Sequence, residues 1–227
     1  MRRWTGKIDF GATVQRGNTD QLDINLKGNV KYRTARDRII LDSIASFARN
    51  NGTDIADNSR TSVDWEHFLK NRWFVMPAGV EQYRDPFQNI AARTTAGVAA
   101  GYQILDTKRT EWQISAGVGY QNTRYTGASE GVSDSSDTAA VGASTHFKRK
   151  MTKAVRVTYD YKFQFTSRDS GGYNHHMVAF VETDWTRRLS FDVTLVWDRT
   201  QLPQADASGL VPARDDVKMI VALGIEF

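Results

Sequence analysis

Along most of this chain, large apolar residues fall on every second position. The final stretch shows it most cleanly: Val217, Met219, Val221, Leu223, Ile225 and Phe227 alternate with Lys218, Ile220, Ala222, Gly224 and Glu226. A period of two places alternate residues on opposite faces of a β-strand, so this segment has one greasy and one mixed face. The same test upstream returns Trp4, Gly6, Ile8, Phe10, Ala12 and Val14, then Leu22, Ile24, Leu26, Gly28, Val30 and Tyr32, a hairpin joined through 16–20. Further strands are predicted over 38–48, 60–69, 73–83, 90–104, 112–120, 138–147, 155–165, 177–185 and 189–197. With 217–227 this makes about twelve, the even number that bacterial single-chain barrels require. Two strands are less clean, because Ile40, Ile44, Val178 and Phe180 fall on the face that should be polar.

The connections alternate in length. Short turns are predicted at 34–37, 70–72, 106–110, 148–153 and 186–188, and longer polar loops at 49–59, 84–89, 121–137, 167–174 and 199–215. The first connection, 16–20, is short although it belongs to the long-loop set. Trp4, Trp73, Trp112 and Trp185 lie at strand ends beside short turns, while Tyr83, Tyr120, Phe165 and Trp197 lie near long loops. Two such bands suit rings placed at water–lipid boundaries, although aromatics are also good strand formers in general. The pattern predicts an all-β chain: one domain over 1–227, a transmembrane antiparallel up-and-down β-barrel of about 12 strands with short periplasmic turns and longer extracellular loops. A water-soluble barrel would turn its apolar face inward, but about 8 strands already suffice for a filled or single-ligand interior, so twelve favour lipid outside.

Composition changes this picture little. The chain has 227 residues, is 40% hydrophobic and has a negative mean hydropathy, as a barrel with only alternate residues in lipid can have. The longest uncharged runs, 94–105 and 112–123, fall short of the roughly 20 residues of a spanning helix. Cysteine is absent, which removes disulfides, thiolate metal sites and cysteine nucleophiles together. Met1-Arg2-Arg3 runs into Trp4-Thr5-Gly6-Lys7 instead of an apolar core, so a mature domain with an initiator Met is expected. The net charge of +4 is too small to point to nucleic acid.

Several short motifs follow one another in order: Trp4-x-Gly6 leading to Gly11 and Gly17-Asn18-Thr19, then Tyr83-Arg84-Asp85-x-Phe87, then Arg93 with Gly97-x-x-x-Gly101-Tyr102. In this order and spacing the chain resembles, over essentially its whole length, the salt-induced outer-membrane proteins, a family also labelled domain of unknown function 481. Pro86 and Ala99 depart from it locally. The resemblance implies a bacterial outer-membrane β-barrel, with the closing strand and its terminal Phe227 recognised by the barrel-assembly machinery, and no established activity.

With apolar residues facing lipid, the lumen receives Lys27, Lys31, Asp64, Glu66, Glu81, Arg93, Arg156, Asp160, Lys162, Lys218 and Glu226 as lining candidates. Asp9, Asp23, Asp42, Glu111, Glu182, Asp184, Asp192, Lys7, Arg33 and Arg60 share that face. Separated into walls, these charges would orient ions in a narrow channel; interdigitated, they would form a salt-bridged plug. Gly97, Gly101, Gly117, Gly119 and Gly142 either leave room along one wall or let strands coil tightly.

At the long-loop rim, Arg49, Arg84, Arg124, Arg168 and Arg199, with Arg16, Arg60 and Arg214, are candidates for lipopolysaccharide phosphates, since guanidinium forks match phosphate. The short turns carry Lys70, Lys108, Lys148, Lys150 and Lys153, suited to phospholipid headgroups; ordinary solvated charge is the plain alternative for both rims. An outer-membrane lipid hydrolase would need a Ser–His pair, and only Ser144 with His146, or Asp169-Ser170 with His175-His176, offer the elements. The sequence thus predicts a monomeric outer-membrane barrel with no enzymatic activity, no cofactor and no metal: a narrow passive channel for ions or small solutes, or alternatively a closed structural barrel binding lipopolysaccharide or a protein partner.

Overall fold

The computed structural model describes residues 3–15, 21–127 and 133–227. Twelve strands follow one another: β1 (Trp4–Gln15), β2 (Gln21–Arg33), β3 (Asp37–Asn50), β4 (Thr53–Phe68), β5 (Trp73–Asp85), β6 (Ile90–Asp106), β7 (Thr110–Tyr125), β8 (Ser135–Lys150), β9 (Val155–Phe165), β10 (Tyr173–Asp184), β11 (Leu189–Thr200) and β12 (Asp215–Glu226). Each pairs antiparallel with its sequence neighbours, and β1 pairs with β12, so the sheet closes into a barrel without an edge. The alternation sorts side chains as the pattern requires. Ile8, Phe10, Leu26, Val118, Val141, Phe191, Met219 and Leu223 are exposed on the outside, whereas Asp9, Arg38, Glu66, Gln121, Thr123 and Asp192 are buried inside. A water-soluble fold has the opposite distribution.

Threonine builds most of the tight turns at one end. Thr34, Thr107, Thr152 and Thr186 each begin a turn, and each hydroxyl accepts the backbone N–H three residues on, at 2.9, 2.9, 3.0 and 3.0 Å. Such a hydroxyl mimics a backbone turn and fixes where the next strand starts. The remaining turn at this end instead places Asn71 and Arg72 at positive φ. At the other end 126–134, 166–172 and 201–214 are longer, with two corrections to the sequence expectation. The predicted loop 84–89 shrinks to the four residues 86–89, because β5 runs on to Asp85, and is no longer than the longest turns opposite. The polar stretch 49–59 is not a loop: β3 continues to Asn50 and β4 begins at Thr53. Asn51 and Gly52, at φ 47° and 79°, form the tight Asn-Gly turn whose twist matches two antiparallel strands. The polar residues that suggested a loop, Asp54, Asp57 and Asn58, stand on a hairpin that outruns β5, which pairs with β4 only from Ser59 onward. The 16–20 connection, with Arg16, lies outside the described residues.

Closure depends on a short seam. The β1–β12 ladder runs only from Lys7 opposite Glu226 to Phe10 opposite Leu223, extended by two 3.0 Å backbone hydrogen bonds between Gly6 and Phe227. The Phe227 ring lies against Gly6, and a Cβ at Gly6 would come within 2.4 Å of it. Further along, a Cβ at Gly11 would meet the Val221 carbonyl oxygen at 2.5 Å, and backbone cannot step aside as a ring can. Gly11→Val is therefore expected to cost about 1–3 kcal/mol by overpacking the seam. Urea unfolding of the refolded barrel should show this loss, while Gly28→Ala, with nothing near its Cβ, should leave the midpoint unchanged.

Candidate functional site: the barrel lumen

One cavity of about 1360 Å³ runs inside the barrel. It is lined at the turn end by Arg187, Arg188 and Glu226 and at the loop end by Gln88, Thr200 and Arg214. Gly97 and Ala99 on β6, Ser115, Gly117 and Gly119 on β7, and Gly142 and Ser144 on β8 make one wall of small residues. Glycine there does both things the sequence left open. A Cβ at Gly117 would sit 2.3 Å from the Val98 carbonyl oxygen, so β6 and β7 approach closely, and the same missing side chains leave that wall bare. Elsewhere the lining is largely charged or polar, with Ile40, Ile44, Met76, Val178 and Phe180 among its apolar members.

Three ionic groups occupy the interior. Toward the turn end, Arg38 on β3 is 1% exposed, bonds Glu66 on β4, and reaches Glu111 and Gln113 on β7, the last at 2.6 Å. A second group joins Lys7 to Glu182 at 2.7 Å and Asp192 at 2.8 Å. Beside it Arg156 bonds Glu182 and Glu226 and lies 2.9 Å from Asp184. Those three carboxylates come together closely enough for a metal ion, but the guanidinium already supplies their positive charge. Toward the loop end, Arg60 on β4 bonds Glu81 at 2.5 Å and reaches Asp198 on β11 at 2.7 Å, almost straight across the ring. Lys162 on β9 meets Glu81 at 3.3 Å, and His176 meets Asp198 at 2.8 Å. These cross-lumen bridges narrow the passage, and the cavity persists beside the small-residue wall.

Of the residues singled out in sequence, Lys27, Lys31, Asp64, Glu66, Glu81, Arg93, Arg156, Asp160, Lys162 and Glu226 line this cavity. Lys218 does not; it lines a small side cavity with Arg60, Tyr83 and His176, and donates to Asn58 Oδ1 at 2.7 Å. Arg38, Lys148, His176 and Asp198 line the cavity too. Strict counting by two from Asp42, Ser144, Glu182 and Asp192 would have found them. Tyr83 needs correction: its ring is not in the outer aromatic band but buried inside, donating to Asp85 at 3.0 Å beneath Arg60. Lys148 is likewise not a turn residue but part of β8.

The rim arginines do not form one patch, since they stand on different hairpins. Arg49, Arg84 and Arg199 pair with Asp54, Asp57 and Asp215 at 2.6, 2.7 and 2.8 Å. Arg124 and Arg168 make no ion pair among the described residues, while Arg60 and Arg214 line the lumen. The hydrolase elements are employed otherwise. Ser144 Oγ is 2.7 Å from Ser115 Oγ, and His146 Nδ1 is 2.5 Å from Asp160 Oδ1. Ser170 bonds Ser136 at 2.7 Å. The two adjacent histidines separate to opposite faces, His175 stacking on Trp197 and His176 bonding Asp198.

The loop between β11 and β12, 201–214, is a strap across one mouth. Its base is held by Arg199 and Asp215, and Leu202 N–H donates to the Gly171 carbonyl at 3.0 Å. Its middle reaches Asn89, in the β5–β6 connection on the opposite side of the ring. The Asn89 side chain, in a residue 2% exposed, donates to the Gln204, Ala205 and Gly127 carbonyls at 3.2, 2.9 and 2.9 Å and accepts from Gly127 N–H at 3.0 Å. Asp206 folds the strap on itself. The Ser208 hydroxyl, then the backbone N–H groups of Leu210 and Ser208, hold its carboxyl below the ordinary carboxylate value.

Removing Arg38 would strand Glu66 without its cation. Arg38→Met is expected to destabilise the barrel by about 3–5 kcal/mol, the cost of breaking one side of a buried pair, and equilibrium unfolding in urea measures it. The double variant Arg38→Met with Glu66→Gln should recover part of that loss.

In fold, the structure is similar to the NanC porin, with a TM-score of 0.52 at 10% identity over 98% of each chain. It also aligns with a bacterial polysaccharide outer-membrane secretin, at TM-score 0.47 and 7% identity over 99% of this chain and 97% of that one. A third alignment, with a porin, has TM-score 0.41 and 10% identity over 99% and 98% of the two chains. No curated protein matches the sequence. Residues 8–227 match the family described as protein of unknown function, DUF481, and the chain belongs to that family.

Proposed function

We propose that this protein is a narrow passive channel of the bacterial outer membrane, conducting ions or small solutes without catalysis. The observation that carries the proposal is the cavity of about 1360 Å³ lined by residues of both barrel ends. The exposed apolar exterior, with Trp4, Trp73 and Trp185 near the turn end and Tyr120 and Phe165 near the loop end, supports placement in lipid. By the short-turn rule the Thr-capped end faces the periplasm and the strap faces outward. Basic side chains outnumber acidic ones along the cavity, which favours anions. A second reading rests on the cross-lumen bridges of Arg60, Lys162 and Arg38: a closed envelope barrel, with Arg124 and Arg168, which make no ion pair among the described residues, meeting lipopolysaccharide phosphates.

Planar-bilayer recording of the refolded chain separates the two. A channel gives discrete, anion-preferring steps; a silent membrane would support the closed barrel. Asn89→Ala unpins the strap, so it is expected to add larger or flickering steps to the wild-type conductance. Identical traces from wild type and variant would show that the strap does not limit flow.

A further inference from the structure

Most charges in the lumen are matched, but among those that are not, two lysines stand on opposite walls near one end. Lys31 on β2 and Lys148 on β8 each stand two residues inside the turn end of their strands. In the twelve-strand ring β2 and β8 are diametrically opposite, both side chains line the cavity, and Lys148 lies within Coulombic reach of Lys31 and Arg156. Neither lysine makes a salt bridge among the described residues. The carboxylates whose charge they feel are engaged elsewhere: Glu111 by Arg38, and Asp160 by His146. Arg156 is held by Glu182, Asp184 and Glu226. Higher in the lumen Lys27 also lacks an ion pair, its ammonium resting 3.4 Å from the centre of the Phe180 ring.

Like charges on opposite walls of a confined lumen repel, and folding alone gives no reason to place them so. An anion between them converts repulsion into two charge-assisted hydrogen bonds, which ammonium groups can aim freely. We propose that Lys31 and Lys148 form an oxyanion station in the turn-end half of the lumen, binding the carboxylate or phosphate group of a small solute. Lys27, which has no ion pair among the described residues, would receive an anion moving on toward the loop end. This deepens the channel proposal by naming the class of solute, and it rests on that proposal for the solute's access.

Inorganic phosphate, titrated into the refolded full chain and followed by ³¹P line broadening, tests the station without requiring conduction; acetate serves as the competing carboxylate. Wild type should broaden the phosphate line saturably, and acetate should reverse it. Lys31→Gln or Lys148→Gln should each weaken binding roughly ten-fold or more, as expected for losing a hydrogen bond to a charged group. The double Gln variant should abolish binding, the double Arg variant should keep it, and Arg109→Gln, on an exposed turn, should behave as wild type. Heat-modifiable gel migration checks that each variant is folded. No saturable broadening by wild type, or unchanged binding in the folded double Gln variant, would overturn the station. Phosphate binding without bilayer conductance would uphold the station and remove the channel reading; conductance without phosphate binding would do the reverse.

Discussion

The hydrogen bonds between β1 and β12 are the constraint on which the rest of the molecule depends. In an apolar surround every strand N–H and C=O must find a partner within the protein, and only a closed sheet provides one for all of them. Once the ring is closed, alternation does the remaining work, with one set of side chains facing out and the other filling a polar interior. The seam is shorter than the other ladders, from Lys7–Glu226 to Phe10–Leu223, and lacks side chains where backbones come closest. Gly6 accommodates the Phe227 ring, Gly11 the Val221 carbonyl, and Gly224 the packed Asp9, Asp192 and Lys7 side chains. The terminal Phe227 is therefore part of the closure, with its ring and both backbone groups engaged.

Inside, electrostatics and space are divided between walls. Arg38, Arg60 and Arg156 gather carboxylates from several strands into bonded groups, and such pairing is what lets ionised side chains remain inside a barrel. On β6, β7 and β8 the glycines let backbones approach and leave space against which those groups do not close. The Asn89-pinned strap then narrows one mouth, and Lys31 and Lys148, without an ion pair among the described residues, stand near the other. The lumen thus combines a rigid, charge-compensated side with an open side, and a small surplus of positive charge along the route.

Strand number, the closing partner of β12 and the inward face were legible in the sequence because a period of two is a strong signal when one face meets an apolar phase. Missed features were of two kinds. Asn51-Gly52 and the repeated Thr34, Thr107, Thr152 and Thr186 turns are local signals, present in the sequence but hidden by the polar residues around them. Arg38, His176 and Asp198 obey the alternation, and Tyr83 is inward by the same parity as Glu81. Other features had no sequence signal. That Arg60 would reach Asp198 as well as its neighbour Glu81, that 201–214 would cross to Asn89, and that Lys148 would stand across the ring from Lys31 are consequences of ring closure. Residues far apart in the chain meet only once the order around the ring is known.

Because the chain contains no cysteine, single thiols can report directly which face meets water. Ser144→Cys lies on the small-residue wall of the cavity, and Val141→Cys lies on the exposed apolar exterior. In liposomes, a water-soluble, membrane-impermeant thiol reagent should modify Ser144→Cys from either side of the bilayer and leave Val141→Cys unmodified. Protection of Ser144→Cys together with labelling of Val141→Cys would contradict a water-filled passage with lipid around it.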